Sequence, residues 1–306
     1  MSNEYVYGPV RSRRLGASLG VDIVPLKKCS YNCIYCQLGS GFSPLVERKV
    51  YAPPDEVCRQ IAERLKAVPA PDYITLGGSG EPTLNSALGK IASAVRRNHG
   101  IPLCLLTNGS LMWMDEVRHA CSAMDLIIPS LDAGDPETFQ VVNRPHPSIL
   151  FEKVVRGLEQ LREEFSGLIW LEIFLIPGIN DSERSCEAFK ALSERLRPDR
   201  IHLNTAVRPP ADPSVKPLDH GRLLQISRFL GPNAEVITPA PETRHRQGSV
   251  GTEEIVAILQ RRPCTAAEIA DACAASVTAV RKTLDRLAAD GRVRLTERNG
   301  ENYYSR

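Results

Sequence analysis

Lys28-Cys29-Ser30-Tyr31-Asn32-Cys33-Ile34-Tyr35-Cys36-Gln37 follows closely on an apolar run at residues 19–24. The three cysteines have C-x3-C-x2-C spacing and no fourth cysteine nearby. A structural zinc site needs a closed tetrahedral shell, normally built from two such knuckles, and this chain offers no second one. A cubane iron-sulfur cluster held by three thiolates instead keeps one iron open to a ligand that is not protein. The loop also lies just after a strand candidate, which is where parallel α/β sheets gather their chemistry.

Outward from that loop, a short apolar run followed by a stretch of helical length recurs. Residues 19–24, 73–76, 103–106, 126–129, 169–175 and 200–203 are mostly rich in Ile, Leu and Val without polar alternation, as expected of strands buried on both faces. Segments 54–68, 85–98, 112–120, 148–164 and 181–196 carry apolar residues at helical spacing, with Asp55-Glu56 as first-turn acids and Asp181-Ser182 as caps. Six such units predict an α/β fold, a partial (β/α)6 TIM-like barrel over residues 1–240, closed by a helix at 219–229 and a strand at 234–237. The N-terminal 14 residues read as polar and basic.

Two prolines and the run Glu242-Thr243-Arg244-His245-Arg246 mark a linker at 241–250. Residues 251–306 then change character. Helices are predicted at 252–260, 265–273 and 276–289, each begun by a Ser or Thr able to cap, and Thr265 has Glu268 at capping-box spacing. Asn299-Gly300 between two β-prone runs predicts a hairpin. Helix, helix-turn-helix and hairpin together are the layout of a winged helix-turn-helix domain. Arg281, Lys282, Arg286, Arg292, Arg294 and Arg298 offer a nucleic-acid face, although nine Arg or Lys against eight acids leave this region a net charge of only +1.

The residues just after each strand candidate are small or hydrogen-bonding: Gly77-Gly78-Ser79-Gly80-Glu81-Pro82-Thr83, then Thr107-Asn108-Gly109, Ser130-Leu131-Asp132 and Asn204-Thr205. The glycine run lacks the Gly-Lys-Ser/Thr ending of a P-loop. Taken in order, these motifs resemble the radical S-adenosylmethionine (radical SAM) superfamily, with Tyr35 at the aromatic position of the cysteine motif and Gly80-Glu81 ending its GGE-type motif. Ser79 departs from the paired glycines of that pattern.

The resemblance implies that Cys29, Cys33 and Cys36 ligate a 4Fe-4S cluster whose open iron binds S-adenosyl-L-methionine. It implies an enzyme that cleaves this cosubstrate reductively to a 5'-deoxyadenosyl radical for hydrogen abstraction. Tyr35 would lie near the adenine, while Gly80, Glu81 and Ser130 would contact the cosubstrate. Asn108, Asp132 and Asn204 join the cofactor-binding set by strand order, and no catalytic side chain is singled out. The expected partners are an electron donor such as flavodoxin or ferredoxin, and RNA, peptide or protein substrate through the winged helix. A non-enzymatic iron-sulfur redox sensor that binds DNA is the rival.

Composition narrows the rest. The 306 residues are 42% hydrophobic and 24% charged with a net charge of +2, so nothing global demands a polyanionic partner. The six cysteines outside the triplet are scattered without paired spacing, which excludes a secreted disulfide framework and suits a reducing cytoplasm. The apolar stretch at 168–179 is broken by Glu172 and Pro177, so neither signal peptide nor membrane span is expected. Arg11, Arg13, Arg14 and Arg208 flank the predicted mouth, where arginines serve either an anionic substrate or salt bridges.

Overall fold

The computed structural model describes residues 4–39, 41–237, 251–273, 275–298 and 300–306. The linker expected at 241–250 and Asn299 of the expected turn lie outside them.

Seven parallel strands form in chain order: β2 (Gly16–Asp22), β3 (Tyr73–Gly77), β4 (Leu103–Thr107), β5 (Leu126–Pro129), β6 (Leu168–Leu175), β7 (Arg200–Thr205) and β8 (Ala234–Val236). An eighth strand, β1 (Val6–Ser12), pairs antiparallel with β2 at one edge of the sheet. The sequence hid β1 because it is an edge strand: Pro9 lacks a donor and the side chains are only partly covered. Helices α1 (Pro54–Ala67), α2 (Leu88–Asn98), α3 (Asp115–Ala120), α4 (Pro136–Asn143), α5 (Phe151–Glu164), α6 (Glu183–Leu196) and α7 (His220–Leu230) connect the strands. Their apolar stripes, such as Ile91, Val95, Leu158 and Phe189, bury against the sheet's outer face. Asp135 caps α4 by accepting from the Thr138 amide at 2.9 Å, which leaves Ser130 and Asp132 free of capping duty.

The sheet is curled. Ser18, Thr75, Ile128, Glu172 and Asn204, from five different strands, line one cavity, and Arg14 ahead of β2 ion-pairs with Glu172 on β6. The edge strands β1 and β8 do not pair with each other, so among the described residues the barrel is partial, as expected, with β1 added to the six strands and the closing strand at 234–237 read from sequence.

Residues 252–305 form α8 (Thr252–Arg261), α9 (Ala266–Ala272), α10 (Val277–Ala289) and a hairpin of β9 (Arg294–Arg298) with β10 (Glu301–Ser305). Their core, with Ile255, Leu259, Ile269, Val280, Leu284 and Tyr304, is separate from that of the barrel. Thr265 and Glu268 form the expected capping box. Thr252 does not cap α8: Gly251 occupies that position, and the Thr252 hydroxyl accepts from Arg286 at 3.1 Å.

This unit lies against the barrel, with α9 beside β1. Arg261 pairs with Asp22 at 2.8 Å and lies over the Tyr7 ring, Arg208 pairs with Glu268, and Arg298 donates to the Ala206 and Val215 carbonyls. The Tyr303 hydroxyl donates to the Val207 carbonyl at 3.2 Å.

Candidate active site

The cysteine loop leaves β2 and is pinned on two sides. Asn32 and Ile34 donate backbone N–H groups to the Asn143 and Val142 carbonyls at the end of α4, and the Glu81 amide donates to the Lys28 carbonyl at 2.9 Å. Ile34 packs into a local apolar cluster with Val142, Phe174, Ile176 and Val215. Cys29, Cys33 and Cys36 are unpaired and partly exposed, and all three face the same cavity of about 400 Å3. The Asn108 side-chain amide approaches the Cys29 sulfur, and that of Asn143 approaches the Cys33 sulfur, each at 3.5 Å.

The donor set fits a cluster. Burial pushes the Cys29 thiol up to about 12, with the Glu81 charge adding to it. Burial, Asp132 and Cys29 drive Cys33 well above its usual range, and burial raises Cys36. Three adjacent thiolates therefore need cationic compensation, which a bound metal centre supplies. Among the described residues, no three His, Cys, Asp or Glu side chains converge tightly enough for a single metal ion.

The loop after β3 is shaped by close approach. A Cβ on Gly80 would lie 2.1 Å from the Lys28 carbonyl oxygen. Gly78 has φ +102°, and a Cβ there would meet an Asp22 carboxylate oxygen at 1.6 Å. Ser79, the departure from the paired-glycine pattern, donates to Asp22 at 2.8 Å and so ties this loop to the contact with Arg261.

Glu81 is 1% exposed and accepts from the Thr83 amide and hydroxyl, the Thr107 hydroxyl and the Asn108 amide. Burial raises its carboxyl, and these bonds oppose the rise. Glu81 thus holds Asn108 in place, and Asn108 in turn reaches Ser30 and the Cys29 sulfur.

Tyr35 stacks on Phe174 with ring centroids 3.9 Å apart and donates its hydroxyl to Asp132 at 2.5 Å. Asp132 also accepts from the Asn143 side chain and the Phe174 amide. It therefore stands behind the cavity wall, positioning Tyr35 and Asn143, whereas Tyr35, Gly80, Glu81, Asn108, Ser130 and Asn204 are on that wall. Asn204 donates to Glu172 at 3.4 Å. Glu172 is paired with Arg14. Thr205 is taken up by backbone contacts to Leu175 and Leu218. Sequence reading missed Tyr7, Ile258, Arg261 and Arg262, which also line the cavity. No local motif marks them, because the C-terminal unit brings three of them there.

Residues 23–186 match the radical SAM superfamily. The whole chain is 36% identical over 309 residues to the GTPase Obg of Brachyspira hyodysenteriae, but spans only 45% of that protein's length. It is 32% identical over 267 residues to a UPF0026 protein of Helicobacter pylori, covering 86% of each chain. Among solved structures, TYW1 with a lysine-pyruvate adduct bound is 20% identical with a TM-score of 0.53, over 73% of this chain and 75% of that one, which is a likeness of fold.

Proposed function

The chain belongs to the radical SAM superfamily, and on that premise we propose that it is an enzyme using a 4Fe-4S cluster on Cys29, Cys33 and Cys36 with S-adenosyl-L-methionine in the cavity beside them. When bound, the cluster supplies one electron for reductive cleavage of the cosubstrate, the source of the 5'-deoxyadenosyl radical that takes hydrogen from a substrate. Reducing equivalents come from a flavodoxin- or ferredoxin-type donor.

The chain's own residues hold and shield. Asn108 and Asn143 direct N–H groups at two of the cysteine sulfurs, an arrangement that raises a cluster's potential. Gly80 lets the backbone approach a ligand closely, and Tyr35, backed by Phe174, gives a flat wall for an adenine. Ser130 and Asn204 offer hydrogen bonds from the cavity wall to the polar part of the cosubstrate. Glu81 acts through Asn108 and places its negative charge where an ammonium group is favoured.

The observation that carries this reading is the chain of contacts from Glu81 through Asn108 to Cys29 on one cavity wall. The test is anaerobic reconstitution with iron and sulfide, reduction, and addition of S-adenosylmethionine. Formation of 5'-deoxyadenosine is expected, and its absence from a fully loaded protein sinks the proposal.

Residues 251–306 are proposed to be a winged-helix domain whose part here is to wall the cavity. Its contacts to Asp22, Ala206, Val207, Arg208 and Val215 favour that role over carrying nucleic acid, since they engage Arg298 of the expected basic face. Arg292 of the same face is engaged by Glu253 within the unit.

A further inference from the structure

Six arginines line the cavity, Arg11 and Arg261 among them, and the other four come from three distant parts of the chain: Arg13 and Arg14 in the turn between β1 and β2, Arg208 after β7, and Arg262 after α8. Two carboxylates answer them, Glu172 on Arg14 and Glu268 on Arg208. Among the described residues, neither Arg13 nor Arg262 has an ion pair. Arg208 is 8% exposed. Its Nε, the Nε of Arg14 and the Nη1 of Arg13 are buried without hydrogen-bond partners.

These four guanidiniums against two carboxylates leave a surplus of two positive charges on a partly buried wall. Buried donors are normally satisfied, and buried charge is normally compensated. The groups feel one another: burial and then Arg208 and Arg262 lower Arg13 to about 10, and burial and then Arg13 lower Arg14 to about 9.

We propose that Arg13, Arg208 and Arg262, with Arg14 beside them, form a binding subsite for a dianionic oxyanion group of the substrate, shared between the barrel and the C-terminal unit. Guanidinium forks match the oxygens of a phosphate ester or a dicarboxylate, and two negative charges match the surplus. The substrate is then a small anionic molecule enclosed between the two units, rather than the macromolecule that the domain layout alone suggests. The assignment rests on this cavity being the reaction chamber.

The test uses the full chain without its cluster, titrated calorimetrically with inorganic phosphate and, in a second arm, with malonate. Binding is expected in at least one arm, and the tighter arm identifies a phosphate ester or a dicarboxylate as the source. Arg13→Gln and Arg262→Gln should each weaken binding by about 10-fold or more, Arg262→Lys should recover part of it, and Arg281→Gln, on exposed α10, should leave it unchanged. Far-ultraviolet circular dichroism verifies that each variant is folded. Failure of both anions to bind, or full binding by folded Arg13→Gln and Arg262→Gln, overturns the subsite. So does displacement of phosphate by S-adenosylmethionine from the cluster-loaded protein, which would assign the arginines to the cosubstrate carboxylate. Anion binding is read without the cluster, and 5'-deoxyadenosine formation is read without the anion, so the subsite and the proposed activity can fail separately.

Discussion

Cys29, Cys33 and Cys36 sit in one loop and are placed by partners from the next few strands, whereas Arg208 meets Glu268 and Arg13 comes near Arg262 only because the C-terminal unit folds back on the barrel. The first arrangement is local in sequence and built from motif residues. The second is long-range and built from residues that look ordinary where they stand. The chemistry thus lies in a segment readable by spacing, and the enclosure lies in contacts that spacing does not encode.

The sharpest way to break this contrast is at the local end. Cys33→Ala should lower 5'-deoxyadenosine formation by about 100-fold or more and remove the cluster's visible absorption, while the far-ultraviolet circular dichroism stays that of the folded chain. Retention of activity in a folded Cys33→Ala protein would remove the triplet from the site and leave the contrast without its first half.

At the long-range end, the pair to break is Asp22 with Arg261, whose side chains are 9% and 11% exposed. Asp22→Asn leaves Arg261 buried without its counter-charge and should cost about 3 kcal/mol in denaturant unfolding. Arg261→Gln should cost a similar amount. The double variant should lose less than the sum of the two, by on the order of 1.5 kcal/mol. Strict additivity would mean that the two units touch there without holding each other.

Legibility follows the same divide. The six parallel strands were readable because continuous Ile, Leu and Val runs have one use in an α/β protein, burial on both faces of a sheet. The cysteine triplet and Gly80-Glu81 were readable because ligation and close approach demand particular residue types at fixed spacing. Strand β1 was not, since an edge strand carrying Arg11 and Pro9 has no apolar run to show. Helix α4 showed only its start: Asp135-Pro136 carries the cap and first-turn signs, but eight residues are too short for a periodic signal to give its extent. Asp132 illustrates the limit within the site: strand order placed it at the mouth, but only the fold reveals that Tyr35, Asn143 and Phe174 consume its oxygens.

Gly78 joins the two regions and tests the join with a smaller change. At φ +102° and against Asp22, Gly78→Ala should destabilise the protein by about 2 kcal/mol. Gly100→Ala has open space and no positive φ, and should stay within about 0.5 kcal/mol of the parent. Equal melting temperatures for the two variants would show that the loop after β3 tolerates a side chain where the geometry forbids one.

The smallest effect separates barrel from interface by pH. His202 in β7 is 1% exposed. Burial, followed by the charge of Arg14, lowers it to about 4, against a partial offset from Glu235. The folded state therefore binds fewer protons than the unfolded state between the ordinary histidine range and about pH 4, so stability falls as pH drops through that window, by on the order of 1–2 kcal/mol. At the interface, burial raises the Glu268 carboxyl, but Arg208 and Arg262 more than reverse this, leaving it below its usual range. Its contribution is present above about pH 4.5 and is lost as pH falls further. His202→Gln should flatten the upper window of a thermal-melt series alone, and Glu268→Gln should change the lower one alone. If either substitution moved both windows, the barrel and the interface would titrate as one unit, and the separation between local site and long-range enclosure would not hold energetically.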